Sequence, residues 1–136
     1  MHIRESIVAE ARTWLGTPYR HQGRRKGLAC DCAGLVIGVA HGLGLSEFDF
    51  RAYGPLPHSG TLERLLAEHM DRIDVAEASP GDVLVLAWLS EPQHLGIRTN
   101  IGILHSYAGA RRVVEHRIDE IWQARLRGAY RYRGVG

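Results

Sequence analysis

The sequence is 136 residues long, with 45% hydrophobic residues, 24% charged residues and a formal net charge of +2. This length fits one domain with its own hydrophobic core, and the composition is that of an ordinary globular protein. The mildly basic charge balance tolerates anionic partners but does not by itself argue for binding to nucleic acid. We therefore predict a single domain over residues 1–136.

The two cysteines, Cys30 and Cys32, are separated by one residue. Two thiols cannot form the framework of disulfides that stabilises small secreted domains. A disulfide between positions so close in sequence would also close a strained ring. At least one thiol is therefore expected to be free.

The N-terminal residues mix acidic and basic side chains and lack the apolar segment of a signal peptide. The longest apolar run, residues 83–89, is too short to span a bilayer. The sequence therefore predicts a protein that is made in the cytoplasm and does not insert into a membrane.

The first half of the chain has the spacing of apolar residues that is typical of helices. One helix is predicted over residues 3–15, with Gly16 as its C-terminal cap. Asp31 can cap the start of a second helix, which ends near Gly42. A short amphipathic helix is predicted over residues 61–70, and the stretches between the helices are predicted loops.

The second half is richer in residues that favour strands. Pro80-Gly81-Asp82 suits a turn before a strand, and Thr99-Asn100 suits the turn of a hairpin. Because helices come first and strands follow, the predicted fold class is α+β, with N-terminal helices packed on an antiparallel β-sheet. The predicted strands are residues 83–86, 95–97, 101–104, 113–114 and 129–132.

Cys32 stands at the predicted start of the second helix, directly after Asp31. Amide groups at a helix N-terminus stabilise a thiolate and can lower a thiol pKa from its usual value of about 8.5. The same amides can bind the oxyanion that forms when a nucleophile attacks a carbonyl. Cys32 is therefore a candidate nucleophile, and a buried structural cysteine is the alternative that its position leaves open.

His94 opens one predicted strand and His105 closes the next. If these strands pair as a hairpin, the two rings come close together. A base and a polar group that holds its ring are what thiol catalysis requires. The alternative is two unconnected histidines at strand ends, in a chain that contains eight. His116 alternates with apolar strand residues and is interpreted as exposed or structural, without a catalytic role.

Four motifs resemble the NlpC-type cell-wall peptidase family in their order along the chain. The resemblance extends from residue 5 to about residue 132 and is nearest to the compact branch found in phage tails and gene transfer agents. No single motif is specific, but the ordered set is. The motifs are Gly16-Thr17-Pro18-Tyr19, Asp31-Cys32-Ala33-Gly34-Leu35-Val36, Gly81-Asp82-Val83-Leu84 and His94-Leu95-Gly96-Ile97.

The resemblance implies a papain-like core and a set of roles for residues of this chain. It implies that Cys32 is the nucleophile, that His94 is the base and that His105 orients the ring of His94. It further implies that Tyr19 lines the site and that Asp31 can contact the substrate. The implied substrate is a murein stem peptide, cut between D-glutamate and diaminopimelate, and no metal or cofactor is expected.

Three features depart from the family's pattern. Ala33 replaces a common serine, Arg20-His21-Gln22 replaces an aromatic residue and glycines, and Cys30 has no role in the pattern. Because the sequence shows no signal peptide or wall-binding domain, we expect another structure to deliver the protein to the wall. The alternatives are release at lysis through a holin, injection as a toxin, and incorporation into a phage-like tail. The branch that the sequence resembles favours the tail, with tail or baseplate hub proteins as partners.

Two alternatives concern binding rather than hydrolysis. The two cysteines together with His94 and His105 have the element types of a zinc site, but the Cys-x-Cys spacing is tighter than usual. Basic residues suggest a nucleic-acid module, but acidic residues interleave with them, which favours a solvated surface. We therefore predict neither metal nor nucleic acid as a partner. The basic residues are Arg24, Arg25, Lys26, Arg111, Arg112, Arg125, Arg127, Arg131 and Arg133.

Two further alternatives keep the same fold. The chain could be a structural component of a virion tail or baseplate with little activity, since fold does not determine function. It could also use the same residues as an amidase or acyltransferase. The presence of Cys32, His94 and His105 together favours an enzyme, because a purely structural protein needs none of them.

Overall fold

Helices dominate the first half of the computed structural model and an antiparallel sheet dominates the second, as the sequence predicts. The structure describes residues 2–54, 60–87 and 93–136. The helices are α1 (Ile3–Arg12), α2 (Cys32–Gly42), α3 (Thr61–His69) and α4 (Glu120–Gln123), with a 3₁₀ turn at Val75–Glu77. The strands are β1 (Arg24–Arg25), β2 (Ala29–Cys30), β3 (Met70–Ile73), β4 (Val83–Ala87), β5 (Gln93–Arg98), β6 (Ile103–Tyr107), β7 (Arg112–His116) and β8 (Leu126–Tyr132).

Six strands form one antiparallel sheet in the order β3-β8-β4-β5-β6-β7. The turn between β5 and β6 is held by Thr99, whose hydroxyl accepts the amide N–H groups of Ile101 and Gly102 at 3.1 and 3.0 Å. This confirms the predicted hairpin. The remaining strands, β1 and β2, form a small hairpin that leads directly into α2.

Helix α2 is central to the core, because its residues are apolar around most of its circumference and nearly all are buried. Such a helix must be enclosed by other elements, and α1, β5 and β6 all pack against it. Gly38 allows the segment after α1 to approach closely, since a Cβ there would lie 2.3 Å from Cζ2 of Trp14. The Tyr132 hydroxyl donates a 2.7 Å hydrogen bond to the Val36 carbonyl and so joins α2 to β8.

The opposite face of the sheet carries a smaller apolar cluster. Leu84 and Leu86 alternate along β4 with the residues that face α2, and they pack with Ile103 and Ala129. Side chains from the α4 region, among them Trp122, cover this cluster. The sheet is therefore packed on both faces.

Several boundaries differ from the prediction. The first helix ends at Arg12 rather than at residue 15, because the next amides make tight bonds to carbonyls three residues back, such as Trp14 N–H to Ala11 O. The third helix ends at His69, and Met70 begins β3, which the sequence analysis missed. Its Met-Asp-Arg-Ile pattern at the edge of the sheet gives little apolar signal. The β1–β2 hairpin and α4 were also missed.

Candidate active site

Cys32 is the first residue of α2, and its sulfur lies where α2 meets β5. The chain enters the helix through Asp31, whose Oδ1 accepts the Gly34 N–H at 2.7 Å and caps the first turn. The backbone amides of Leu95 and Ala33 hydrogen-bond the sulfur. Cys32 is 9% exposed whereas Cys30 is fully buried, so Cys32 is the more accessible of the two cysteines.

Burial has the largest effect on the Cys32 thiol and raises its pKa to about 12, with the charge of Asp31 acting in the same direction. The Leu95 and Ala33 amides lower the pKa, but they do not outweigh the loss of solvation. The expectation that the helix start lowers this pKa is therefore wrong for the protein without substrate. At neutral pH Cys32 carries its proton, so a base must remove it.

His94 and His105 come together as the hairpin argument predicts. β5 and β6 are antiparallel, with Ile97 opposite Leu104, and His94 Nε2 lies 2.6 Å from His105 Nδ1. His94 directly precedes Leu95, whose amide contacts the Cys32 sulfur. The histidine pair therefore begins one residue before the amide that bonds the sulfur. The one difference is that His105 is the middle residue of β6 rather than its last.

His94 and His105 are neutral at neutral pH. Burial, followed by the charge of Arg125, lowers the pKa of His94 to about 4. Burial also lowers the pKa of His105, with His94 and His116 acting in the same direction. A neutral imidazole has a lone pair that can accept a proton, so His94 is in the form that a general base requires.

The structure adds His116 to this arrangement. His105 Nε2 lies 2.8 Å from His116 Nε2, and His116 Nδ1 lies 2.8 Å from the Arg117 carbonyl oxygen. His116 is half-buried and joined to the site, where the sequence analysis assigned it no catalytic role. The pairing of β6 with β7 explains the contact: Val114 is opposite His105, which makes His116 its diagonal neighbour on the same face.

Aromatic side chains surround the histidines. Tyr107 stacks on His105 with ring centroids 5.3 Å apart, and Trp122 meets His105 and His116 at 5.1 and 4.9 Å. The guanidinium of Arg125 lies 4.7 Å from the centroid of the Trp122 ring. These contacts exclude water from the inner rings, which is why burial dominates their pKa values.

Asp31 is buried, and both of its carboxylate oxygens accept hydrogen bonds from the protein. Its Oδ2 accepts the Tyr53 hydroxyl and the Gln22 N–H, each at 2.7 Å. Its Oδ1 accepts from Arg24 at 3.2 Å in addition to the helix amide. The implied contact of Asp31 with substrate stays a prediction, and a substrate group would have to share oxygens that already hold these partners.

Tyr19 is half-buried near the thiol, and its implied role in lining the site stays a prediction. Burial raises the pKa of its hydroxyl to about 12, and the nearby Cys32 and Asp31 act in the same direction. Its backbone is tied to the loop after β6, since the Tyr19 N–H donates to the Arg111 carbonyl at 2.9 Å. Tyr19 can therefore contact a substrate that approaches Cys32.

The residues that hold Asp31 carry no signal in the local sequence. Arg24 contacts both Asp31 and Asp49, at 3.2 and 3.1 Å. Tyr53 lies in a loop that contacts Gln22. The side-chain amide of Gln22 donates hydrogen bonds to the carbonyl oxygens of Tyr53 and Arg51 in this loop. These contacts join segments that are distant in sequence, so no local pattern signals them.

Some arginines that suggested nucleic-acid binding are engaged in ion pairs. Arg131 makes two 3.0 Å bonds to the carboxylate of Asp82, and Arg24 pairs with Asp31 and Asp49. Within residues 2–54, 60–87 and 93–136, no group of three or more His, Cys, Asp or Glu side chains is arranged to hold a metal ion. Over the same ranges, no helix has the length and apolar character needed to cross a bilayer.

Solved structures with this fold include peptidoglycan hydrolases. The NlpC/p60 domain of the peptidoglycan hydrolase SagA is 21% identical, with a TM-score of 0.66, over 93% of this chain and 97% of that one. RipB, a peptidoglycan hydrolase from Mycobacterium tuberculosis, is 22% identical with a TM-score of 0.63, over 98% of this chain and 65% of that one. NlpC2 from Trichomonas vaginalis is 19% identical with a TM-score of 0.72, over 96% of this chain and 46% of that one. At these identities the likeness shows the fold.

The comparison with family models matches most of the chain. No curated protein matches the sequence. The model of the NlpC/P60 family, by contrast, matches residues 16–131, which include the helix start at Cys32 and the strands that carry the histidines. The chain therefore belongs to the NlpC/P60 family, whose members are cell-wall peptidases of the cysteine class.

Proposed function

We propose that this protein hydrolyses the peptides of murein, with Cys32 as nucleophile, His94 as general base and His105 as the residue that orients His94. The observation that carries the proposal is the 2.6 Å hydrogen bond between His94 and His105, one residue from the Leu95 amide that bonds the Cys32 sulfur at the start of α2. Family membership supplies the substrate class.

The proposed reaction begins with both groups uncharged, since the pKa of Cys32 is raised and that of His94 is lowered. When a peptide binds, the Cys32 proton moves to His94 and the sulfur attacks the carbonyl carbon. Amide groups of the first turn of α2 stabilise the oxyanion. His94 then returns the proton to the departing amine, and a thioester remains on Cys32.

Water completes the cycle. His94, neutral again, accepts a proton from the water that attacks the thioester, and the proton then returns to the Cys32 sulfur. The products are a carboxylate and an amine, and the enzyme regains its thiol. No metal or cofactor takes part in the proposed cycle.

The bond proposed to be cut is the one between D-glutamate and diaminopimelate in the stem peptide. The motif resemblance supports this choice, together with the position of Tyr19 beside the thiol. Arg20, Arg111 and Arg112 are exposed on segments that contact each other around Tyr19. Such cations suit a stem peptide, which carries several carboxylates.

We also propose that a phage-like tail carries the protein to the wall, with tail or baseplate hub proteins as partners. Support for this comes from the motifs that resemble the compact tail-associated branch. A tail would raise the concentration of the enzyme at the wall without any further binding domain. Proteomics of purified particles tests this proposal: the chain should be found in intact particles and not only in the soluble lysate.

Digestion of purified diaminopimelate-type murein, followed by mass spectrometry of the new termini, tests the proposed hydrolysis. Cys32→Ala should abolish cleavage, while the matched variant Cys30→Ala should keep most of it, because the Cys30 thiol is fully buried. New termini at D-glutamate and diaminopimelate support the bond assignment. Cleavage at a sugar–peptide bond would indicate an amidase, and full activity of Cys32→Ala would overturn the choice of nucleophile.

A further inference from the structure

Three histidine rings form a hydrogen-bonded chain that ends on a backbone carbonyl. The chain runs from His94 Nε2 to His105 Nδ1 at 2.6 Å, and from His105 Nε2 to His116 Nε2 at 2.8 Å. It ends where His116 Nδ1 meets the Arg117 carbonyl oxygen at 2.8 Å. The proposed mechanism uses the first two rings and leaves the third without a role.

The carbonyl oxygen determines which nitrogen of every ring carries a proton. A carbonyl only accepts, so His116 Nδ1 must carry the hydrogen, and in the neutral ring Nε2 is then an acceptor. His105 must therefore donate through Nε2 and accept through Nδ1. By the same rule His94 donates through Nε2, which leaves the lone pair on its Nδ1.

We propose that His116 is a positioning residue that sets the tautomer of His94, so that Nδ1 of His94 is the base for the Cys32 thiol. The proposal rests on the function proposed above for Cys32 and His94. It adds that His116 accepts the positive charge while Cys32 is a thiolate. The geometry of the chain, with an acceptor at only one end, is the basis of both statements.

The transfer of charge needs one proton to move at each ring. The Cys32 proton binds His94 Nδ1, the Nε2 proton of His94 passes to His105 Nδ1, and the Nε2 proton of His105 passes to His116 Nε2. Three protons have moved, the sulfur is negative and His116 is positive. His94 then carries its hydrogen on Nδ1, where it can be given to the leaving amine, and the reverse transfers restore the starting state.

His116 is the ring of the chain best placed to carry this charge. It is half-buried, whereas His105 is completely buried, and a partly solvated ring with a carbonyl acceptor accommodates an imidazolium better than an enclosed one. The titratable or charged groups placed around it are His105 on β6, Arg117 at the end of its own strand and Arg125, which lies over Trp122.

This arrangement also makes the base sensitive to protonation of His116 from solvent. A doubly protonated His116 donates to His105 instead of accepting from it, which reverses both tautomers and places a hydrogen on His94 Nδ1. His94 then cannot accept the thiol proton. The loss of activity at acid pH should therefore depend on His116 and not on His94 alone.

The first test reads the tautomers directly in the full-length protein and requires no murein. Nitrogen-15 NMR of labelled histidine near pH 7.5 should show His94 protonated at Nε2 and bare at Nδ1. In His116→Leu, His105 loses its acceptor and His94 should become a mixture of tautomers. His41→Gln is the matched control, because His41 also bonds a carbonyl, that of Phe48 at 2.7 Å, but lies at the far end of α2.

The second test follows thiol activation through the rate at which iodoacetamide alkylates Cys32. His116→Leu should slow this reaction about tenfold to a hundredfold, the range expected when a buried donor loses its partner. His116→Gln should recover only part of the rate that His116→Leu loses, since a glutamine amide can accept from His105 and donate to the Arg117 carbonyl but cannot take up the proton that His116 accepts. Because glutamine does not titrate, the acid limb of the rate should move to lower pH in this variant.

The outcomes separate this inference from the proposed function. Wild-type His94 protonated at Nδ1, or an acid limb that is unchanged in His116→Gln, would overturn the inference even if murein is cleaved. The expected tautomers and acid limb, in a protein that does not cleave murein, would support the inference and count against the proposed substrate. If murein is cleaved, His116→Leu should lower kcat and leave KM nearly unchanged.

Discussion

On the cysteine side of the site, charged groups hold the geometry, whereas on the histidine side neutral rings hold it. Cys32 follows the buried carboxylate of Asp31, which pairs with Arg24 and accepts a hydrogen bond from Tyr53. His94 bonds His105, and burial lowers the pKa of both rings, so that these two are uncharged at neutral pH. The two sides meet where the Leu95 amide contacts the sulfur.

This difference predicts different consequences of mutation. Removing one partner of a buried ion pair leaves the other charge without compensation, which mainly lowers stability. Removing a neutral ring breaks no ion pair, although it leaves a cavity and an unsatisfied donor or acceptor, and it changes which nitrogen can accept a proton. We therefore expect substitutions on the cysteine side to lower the free energy of unfolding most, and substitutions on the histidine side to lower the rate of catalysis most.

The largest effect on rate is expected from His94→Ala. Loss of a general base lowers rates by about a hundredfold to ten-thousandfold, and here the thiol depends on that base because its own pKa is raised to about 12. The free energy of unfolding should fall by less than it does in Asp31→Ala, because no ion pair is broken. Kinetics of murein cleavage and urea unfolding measure the two quantities, and His41→Ala serves as control because its ring is exposed. A similar loss of rate in both variants would contradict the assignment.

The largest effect on stability is expected from Asp31→Ala. Breaking a buried ion pair by removing one partner costs about 3–5 kcal/mol, and this variant also loses the cap of α2. Asp49→Ala is the matched control, because Asp49 contacts the same arginine at 3.1 Å but is more exposed. Its loss should cost about 0–1 kcal/mol. If Asp31→Ala and Asp49→Ala both lower the free energy of urea unfolding by the same small amount, the ion pair between Arg24 and Asp31 does not stabilise the fold.

A smaller effect on rate is expected from changes at His105. His105→Ala removes the acceptor for the His94 Nε2–H and should lower kcat about tenfold to a hundredfold, as expected for an unsatisfied buried donor. His105→Gln keeps an acceptor and should lose only a few-fold of the rate. The ratio of the two kcat values is the measurement. If kcat is unchanged in His105→Ala but lowered in His116→Ala, His105 is not the residue that orients His94.

Local sequence signals predicted Asp31, Cys32 and the two histidines better than they predicted the residues that hold these side chains in place. Asp31 before Cys32 is a cap followed by an apolar helix, and both features lie within a few residues. The approach of His94 to His105 followed from a hairpin, which is also a local structure. Tyr53 and His116 were not predicted, because their contacts with Asp31 and His105 depend on how distant segments pack.

The strand β3 shows the same limit in the fold. Residues 61–70 were correctly predicted to begin a helix, but Met70 continues into a strand because β8, near the C-terminus, offers its edge. Nothing in the four-residue pattern of β3 distinguishes it from the end of an amphipathic helix. Tertiary pairing determines the structure of this segment.

The neutral rings should also make stability depend on pH. The pKa of His94 is lowered to about 4 in the folded protein, while in the unfolded chain it has an ordinary value of about 6.5. The unfolded state therefore gains protons that the folded state lacks as pH falls from about 6.5 to 4, and stability decreases over this window. Urea unfolding at pH 7 and pH 5 measures the change. His105→Gln, which removes one lowered group, should lose less stability between these pH values than wild type does.

The smallest effect is expected from Tyr53→Phe, which tests whether Asp31 fastens the loop that carries Tyr53. The hydroxyl donates to a charged oxygen at 2.7 Å, and its removal should cost about 1–2 kcal/mol, while Arg24 and Gln22 continue to satisfy the carboxylate. Because Cys32 keeps its cap, the rate of murein cleavage should change little. Tyr130→Phe is the matched control, since its hydroxyl makes only long contacts of 3.4 and 3.5 Å to Glu63. If both variants unfold at the same urea concentration, the loop is held by the amide of Gln22, which donates to the Arg51 carbonyl at 2.6 Å, and the carboxylate serves the helix alone.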